Sequence, residues 1–576
     1  MSWRKTLGAL LLLLAPSLHA QGLQIQVQPT AAGQAMALNQ ALADSHAARV
    51  TRLDFLLSGL ALQKENGTWL ESQDWFAYLS AGSGRMAASG TGTPEGKYTA
   101  IRFRIGVDEA VNRSDPHRYA PDHALNPLVN GLHWGWQGGY IFMALEGRFP
   151  HGGKDDGFSF HLANAPQLMT VELPVAFRGG RPLTLALEFD LPSVLTGIDF
   201  IKDGSSTHSR EGDLLAAKLK TNIERAFRVR SVSHDVYQTP AFATAPAPLP
   251  AGTHALTPAI TQRFPQVQLP ADNPLTQEGV ALGRALFHDP RLSINNTQSC
   301  ASCHDQAHAF AEGRRFSVGA ENQPGKRNAM PLFNLAWQQG FFWDGRTSTL
   351  REQVLMPIQD AHEMHETLPN VIAKLSADSA ELFQRAFGTP EINAERIAKA
   401  LEQFLLTLIS QDSRFDRAAR KVAELTESEK RGLQLFVTEF DPQRGLRGAD
   451  CFHCHGGTLF TSQSFANNGL ELAADDVGRM AVTQNAADRG KFKVPSLRNI
   501  ARTAPYMHDG RFTTLEAVIE HYSQGVRRSD TLDPNLAKHP EGGLQLSVQE
   551  KADLVAFLKT LTDDSLVGAE TATVAR

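Results

Sequence analysis

Four cysteines occur in the 576 residues, and all of them fall in two copies of one pattern: Cys300-Ala301-Ser302-Cys303-His304 and Cys451-Phe452-His453-Cys454-His455. Paired thiols at this spacing could close a disulfide, hold zinc together with imidazole, or form a redox pair. A disulfide does not explain why His304 and His455 each follow the second cysteine directly. Covalent heme attachment does: two thiols add to two vinyl groups, and the adjacent imidazole becomes the proximal iron ligand. The pattern therefore predicts two covalently bound c-type hemes, attached at Cys300, Cys303, Cys451 and Cys454 and ligated by His304 and His455. Zinc held through both motifs is the alternative.

The elements around these motifs are helical. Gln277 to Phe287 and Ser428 to Phe440 are amphipathic, and Ile397 to Ile409 carries apolar residues at three- and four-residue intervals. This half also echoes itself. Gly283-Arg-Ala-Leu-Phe287 precedes the first motif as Gly432-Leu-Gln-Leu-Phe436 precedes the second, and Trp343-Asp-Gly-Arg346 with Thr349-Leu350 is matched by His508-Asp-Gly-Arg511 with Thr514-Leu515. Two all-α cytochrome c-type domains related by internal duplication are predicted, over 271–425 and 426–563, with Trp343 and His508 in equivalent positions.

The other half reads differently. Leu23 to Val27, Tyr98 to Ile105 and Leu183 to Phe189 alternate, or nearly alternate, apolar with other residues between turn-forming segments. An all-β, sandwich-like domain over 21–236 is expected, making the chain multidomain. Residues 237–270 are rich in Pro, Ala and Thr and predict an extended linker, while 564–576 read as a disordered tail. Arg4 and Lys5, the apolar run Leu7 to Ala15 and the small residue Ala20 form a signal-peptide pattern. Cleavage near Ala20/Gln21 and export to a periplasm are expected, with no integral membrane anchor in the mature chain. Hydrophobic content of 42%, charged content of 20% and net charge −5 fit a globular protein and argue against a nucleic-acid partner.

From about Asn273 to Leu561 the chain resembles the bacterial diheme cytochrome c peroxidases, in the branch represented by MauG and MbnH. The resemblance rests on Lys326-Arg-Asn328, Phe341-Phe-Trp-Asp-Gly-Arg346, Cys454-His-Gly-Gly457, Val494-Pro-Ser-Leu-Arg-Asn499 and Ala504-Pro-Tyr-Met-His-Asp-Gly510. It implies that the His304 heme is peroxidatic, with Gln353 and Glu363 handling peroxide protons. It also implies a calcium ion held by Asn328 and the carbonyls of Thr503 and Pro505, and a Trp343 that lies between the hemes and shares oxidised charge. Ordinary members carry a capping histidine in the loop that here reads Ser317 to Pro324, which has none. At the second heme Tyr522 stands where ordinary members place methionine, and a phenolate favours higher iron oxidation states than a thioether. Hydrogen peroxide would then create a high-valent diheme state whose equivalents leave through aromatic side chains.

Residues from about Gln24 to Val229 resemble the MbnP family of periplasmic copper-binding proteins, on Tyr98 to Asp108, His123-Ala-Leu-Asn-Pro127 and Gly131-Leu-His-Trp-Gly-Trp-Gln-Gly-Gly-Tyr140. That resemblance implies oxidation of a tryptophan, Trp134 or Trp136, to kynurenine, and a copper site for which His133, His123 and His161 are candidates, with His117 and His151 weaker ones. On a strand His133 would face away from Trp134. The chain would then hold enzyme and protein substrate in one polypeptide. Two other readings compete: peroxide detoxification fed by a small periplasmic electron donor, and non-enzymatic copper binding or electron transfer.

Overall fold

The computed structural model describes residues 22–568 apart from 44, 91, 135–137, 235–245 and 268. The expected signal peptide, Trp136, part of the linker and residues 569–576 lie outside the described residues.

Residues 23–233 form two sheets around one apolar core. The first runs Phe227–Ser233, Leu183–Asp190, Leu23–Ala31 and Gln34–Ala35, with Ala87–Gly90 also paired to Leu23–Ala31. The second runs Met169–Arg178, Lys97–Ile105, Ala48–Lys64, Ile141–His151, Lys154–Ala163 and Ser206–Thr207, with three short strands also paired to Ala48–Lys64. Phe55 of the second sheet meets Phe189 of the first edge-on at 5.1 Å, so the sheets pack face to face. Met169–Arg178 shows strict alternation of buried and exposed residues, as a sheet with one wet face requires. The domain is sheet-rich rather than purely β: the helix Leu214–Arg225 buries Leu215, Ala216, Leu219 and Ile223 against it.

Ile141–His151 and Lys154–Ala163 break the alternation, because they are buried on both faces through most of their length. Their outward residues include Glu146, Arg148, Ser159 and His161, each 5% exposed or less. What covers them is the second heme lobe. A Cβ on Gly157 would run into the Pro534 carbonyl, the Arg148 guanidinium donates to the Ser529 and Asp530 carbonyls, and Arg528 pairs with Asp156 at 2.7 Å.

The C-terminal half is helical, and its two lobes pack alike. Gln277–Phe287 lies so close to Ala394–Leu406 that Gly283 has no room for a Cβ beside the Ala400 carbonyl and Phe404. Glu427–Phe436 meets Val548–Lys559 in the same way, with Gly432 against the Asp553 carbonyl and Phe557. Thr276 and Thr426 cap the leading helices, each accepting from the backbone N–H three residues on.

Three boundaries differ from expectation. Part of the supposed linker is packed: Phe264 is buried against Trp337 at 5.3 Å beneath the Arg498 guanidinium, and the Trp337 indole N–H donates to the Pro265 carbonyl. Ile260, Phe264 and Val267 supply the apolar contacts that a Pro-rich composition conceals. Arg414–Ala419 belongs to the second lobe, held there by the buried pair Asp416–Arg498 at 2.8 Å. Residues 564–568 extend the fold as a short helix whose Leu566 carbonyl accepts from Gln306, so the disordered tail cannot begin at 564.

Gly157→Ala should drive a methyl into the Pro534 carbonyl and loosen the junction, costing about 1–3 kcal/mol. Thermal unfolding and limited proteolysis between the halves check this; an unchanged melting temperature would refute the tight approach.

Candidate functional site

Each Cys-x-x-Cys-His segment folds as one tight turn, Cys300–Ser302 and Cys451–His453, closed by His304 N–H to Cys300 O at 3.0 Å and His455 N–H to Cys451 O at 2.9 Å. All four thiols are free of disulfides. The His304 Nδ1 donates to the Phe310 carbonyl at 2.9 Å, and the His455 Nδ1 faces the carbonyls of Pro495 and Phe460 at 3.1 and 3.3 Å. Those bonds fix the tautomer and leave Nε2 as the ligating nitrogen of each ring. Burial pushes the His455 imidazole down to about 4 and that of His304 also below its ordinary value, so both remain neutral donors. Two thiols, one oriented neutral imidazole and one turn of backbone fit a c-type heme at each motif.

At the first motif the turn Asp360 to Glu363 comes down beside the thiols. Burial, with Asp360 nearby, pushes the Glu363 carboxyl up to about 7. Its charge acts on both Cys300 and Cys303, so it lies near the first motif. The loop Ser317 to Pro324 lies directly against this turn: Ala320 N–H donates to the Glu363 carbonyl at 2.7 Å, and Gly319 could not carry a Cβ beside the His362 and Glu363 carbonyls. Gln353 ends the short helix Leu350–Gln353, half-buried and N-capped by Thr349.

At the second motif Tyr522 lies on a single π-helical turn, His521–Gly525, a deformation that often re-aims a functional side chain. Burial, and then the neighbouring Cys454 and Cys451, push its phenol above the ordinary range, while the Asn468 carboxamide donates to it at 3.4 Å. Such a phenol would ionise only with a cation beside it, and a ligated iron is one.

The lobes meet at Asn328. Trp343, buried, donates its indole N–H to the Asn328 carbonyl at 2.8 Å, and the Asn328 N–H donates to the His508 carbonyl at 2.7 Å. The echo residues Trp343 and His508 are thus bridged by the backbone of one residue, Asn328. The Asn328 amide NH2 is engaged by the Arg314 and Arg315 carbonyls, which leaves its oxygen as an acceptor. Arg327 joins Asp344 of one lobe to Asp476 of the other, both at 2.7 Å.

The expected copper ligands do not assemble as a set. His123 stacks on Tyr119 at 4.6 Å and accepts from the Leu125 N–H. His133 turns to Tyr140, and burial lowers it to about 4. His117 pairs with Asp115, and His151 with Asp156 at the surface. His161 alone reaches a cluster, and its companions are His208 and His453, which sequence reasoning missed. The His161 Nδ1 lies 3.3 Å from the His208 Nε2, which lies 3.0 Å from the His453 Nε2. Trp134, 7% exposed, has its ring 5.9 Å from that of His208. The residue pair His133 and Trp134 therefore serves opposite sides of the chain. A cavity of about 960 Å³ is lined from the sheet side by Trp134, Glu146 and His161 and from the lobe side by His453, Cys454 and Asp533. His208 follows a strand too short to show periodicity, but His453 left a signal: its counterpart in the first motif is Ser302.

Fold and site together define a c-type heme oxidoreductase with a fused sheet domain. The chain belongs to the di-haem cytochrome c peroxidase family, whose model matches residues 277–424, while residues 20–209 match the MbnP family model. It is 40% identical to the methylamine utilization protein MauG of Methylorubrum extorquens over 306 residues, 52% of this chain and 82% of that one. The cytochrome c551 peroxidase of Nitrosomonas europaea is 36% identical, over 51% of this chain and 83% of its own. Among solved structures, a MauG-like protein associated with microbial copper homeostasis is 36% identical with a TM-score of 0.50, covering 55% of this chain and 98% of that one. Among the described residues no helix is long and apolar enough to cross a membrane.

Arg327→Gln should leave Asp344 and Asp476 without their shared cation, destabilising the lobe interface by roughly 1–3 kcal/mol. Denaturant unfolding of the heme-loaded protein measures it, and a shift below that range would refute the bridge.

Proposed function

We propose that this protein is a periplasmic diheme oxidoreductase that uses hydrogen peroxide to oxidise Trp134 of its own sheet domain, preparing a copper site. The observation that carries this reading is the position of Trp134: buried at the domain junction, its ring 5.9 Å from that of His208, whose Nε2 lies 3.0 Å from the His453 Nε2 inside the second heme motif. Trp136 lies outside the described residues, and the reading is argued on Trp134. Bound heme would supply the oxidising power drawn from peroxide. Glu363 would hold and move the peroxide proton, and Gln353 would help orient peroxide beside it. Trp343 would share the oxidised charge between the lobes; its link through Asn328 to His508 supports that role. Tyr522 would complete the second heme, and the Asn328 oxygen with the Thr503 and Pro505 carbonyls would hold calcium. The matched glycine contacts at Gly283 and Gly432 support reading the lobes as duplicated copies. Copper as the metal draws on the MbnP match and on the copper-associated MauG-like neighbour.

The chemistry balances with peroxide as sole oxidant. Two peroxides take four electrons and give two waters, while two oxygen atoms open the indole ring to N-formylkynurenine. Hydrolysis then releases formate and leaves kynurenine.

Peptide mapping by mass spectrometry should find the peptide around Trp134 heavier by two oxygen atoms after peroxide, or by the smaller net gain that remains once formate has left, with no change in Trp134→Phe. An unmodified Trp134 alongside fast peroxide-driven oxidation of a reduced small cytochrome would make the protein a detoxifying peroxidase instead. Because the Glu363 carboxyl titrates near 7 and acts as a base only when ionised, the peroxide reaction should rise through about pH 7. Glu363→Gln should slow it by about 10²-fold or more and flatten that limb, as stopped-flow absorbance of the hemes would reveal. An unaltered pH profile in the variant would remove Glu363 from this role.

A further inference from the structure

His161, His208 and His453 come from two different domains, yet one nitrogen of each lies within 4.8 Å of the others. The remaining ring nitrogen of each is committed elsewhere. The His161 Nε2 faces the Glu146 carboxylate at 2.9 Å, the His208 Nδ1 faces the Glu439 carboxylate at 2.9 Å, and the His453 Nδ1 faces the Asp450 carbonyl at 3.3 Å and its carboxylate at 3.5 Å. A carboxylate only accepts, so in each ring the proton sits on the outer nitrogen and a lone pair points inward. Three lone pairs therefore converge, at separations of 3.0 and 3.3 Å where both distances are resolved. Three acceptors facing one another repel unless a cation lies between them. Bonds of about 2.0–2.1 Å from imidazole to a metal put neighbouring ligand nitrogens roughly 3.3–3.6 Å apart, so the cluster would have to open only slightly around an ion.

The supporting carboxylates are themselves held, and across the same junction. Glu146 of the sheet domain takes Arg52 at 2.8 Å and the Asn535 amide of the heme lobe at 3.2 Å. Glu439 of the lobe takes Lys538 at 3.2 Å and the Ser206 hydroxyl of the sheet domain. Asp450 takes the His539 Nε2 at 2.7 Å. This is the outer arrangement that orients imidazoles in metal sites, where a carboxylate fixes each ring and raises its basicity.

We propose that His161, His208 and His453 form a three-imidazole metal site built jointly by the sheet domain and the second heme motif, taking an ion that prefers imidazole nitrogen, copper or zinc. It rests on the metal-binding part of the preceding reading: the three imidazoles hold the ion first, and an oxidised Trp134, its ring 5.9 Å from that of His208, would complete the site as a further donor. The site exists only when the domains are docked, because one ligand, His453, stands between the cysteines that anchor the second heme.

The test uses the full-length, heme-loaded protein stripped of labile metal. Copper(I) under anaerobic reductant and zinc(II) are offered in separate arms, and bound metal is read by elemental analysis and by chelator competition. One equivalent of copper or zinc beyond the heme iron is expected, and the two arms identify the ion. His208→Gln and His453→Gln should each lose that equivalent or bind it at least about tenfold more weakly, with heme content unchanged in the pyridine hemochrome assay. His208→Gln lies outside the heme motif, so it keeps the test valid if His453→Gln impairs heme attachment. Trp134→Phe should retain the ion. Uptake of neither ion by the wild type, or wild-type uptake in His208→Gln, overturns the site. Loss of the ion in Trp134→Phe with retention in His208→Gln would overturn the three-histidine assignment while leaving the oxidation of Trp134 standing.

Discussion

The outer face of the strands Ile141–His151 and Lys154–Ala163 is polar and buried, and the arrangement of the molecule depends on how that contradiction is resolved. Glu146, Arg148, Ser159 and His161 are all buried. Burying such groups without partners would cost several kcal/mol in total. Some partners lie in the same domain, Arg52 and His161 for Glu146; the rest come from the second heme lobe: backbone carbonyls at 529 and 530 for Arg148, Asn535 for Glu146, and His453 beyond His161 and His208. An apolar face could have slid on its cover. A charged face with directional bonds permits one register, because each group shifted away from its partner becomes an uncompensated buried charge. That register brings Trp134 to the second heme motif and not to some other part of the lobe.

The parts of the structure that follow local rules were legible in the sequence. Alternation marked the strands Leu23–Ala31, Lys97–Ile105 and Leu183–Asp190, and helical spacing marked Gln277–Phe287 to the residue. The heme motifs were legible because their chemistry is carried within five consecutive residues. The cluster of His161, His208 and His453 was not, because the three are separated by 47 and 245 positions and meet only through tertiary docking. His123 and His133 lie in the segments that resemble a copper protein, but stacking on Tyr119 and turning toward Tyr140 take them elsewhere. Composition also misled. A Pro- and Ala-rich stretch reads as a spacer, yet three apolar residues in it suffice to anchor Phe264 between Trp337 and Arg498.

That anchoring changes the physical meaning of the fusion. A flexible tether would raise the encounter rate of enzyme and substrate through effective concentration, and its benefit would depend on linker length. Here Ile260, Phe264 and Val267 pack against both lobes, and the cluster around Phe264 also takes in Leu128 of the sheet domain. Little freedom remains to average over. Docking of the domains, with its entropic cost, then belongs to the folding of one chain instead of to each catalytic encounter. On the proposed reading a pre-docked substrate could not be exchanged, so the geometry would suit an event that each chain undergoes once, such as modification of its own Trp134, better than repeated turnover of separate protein partners.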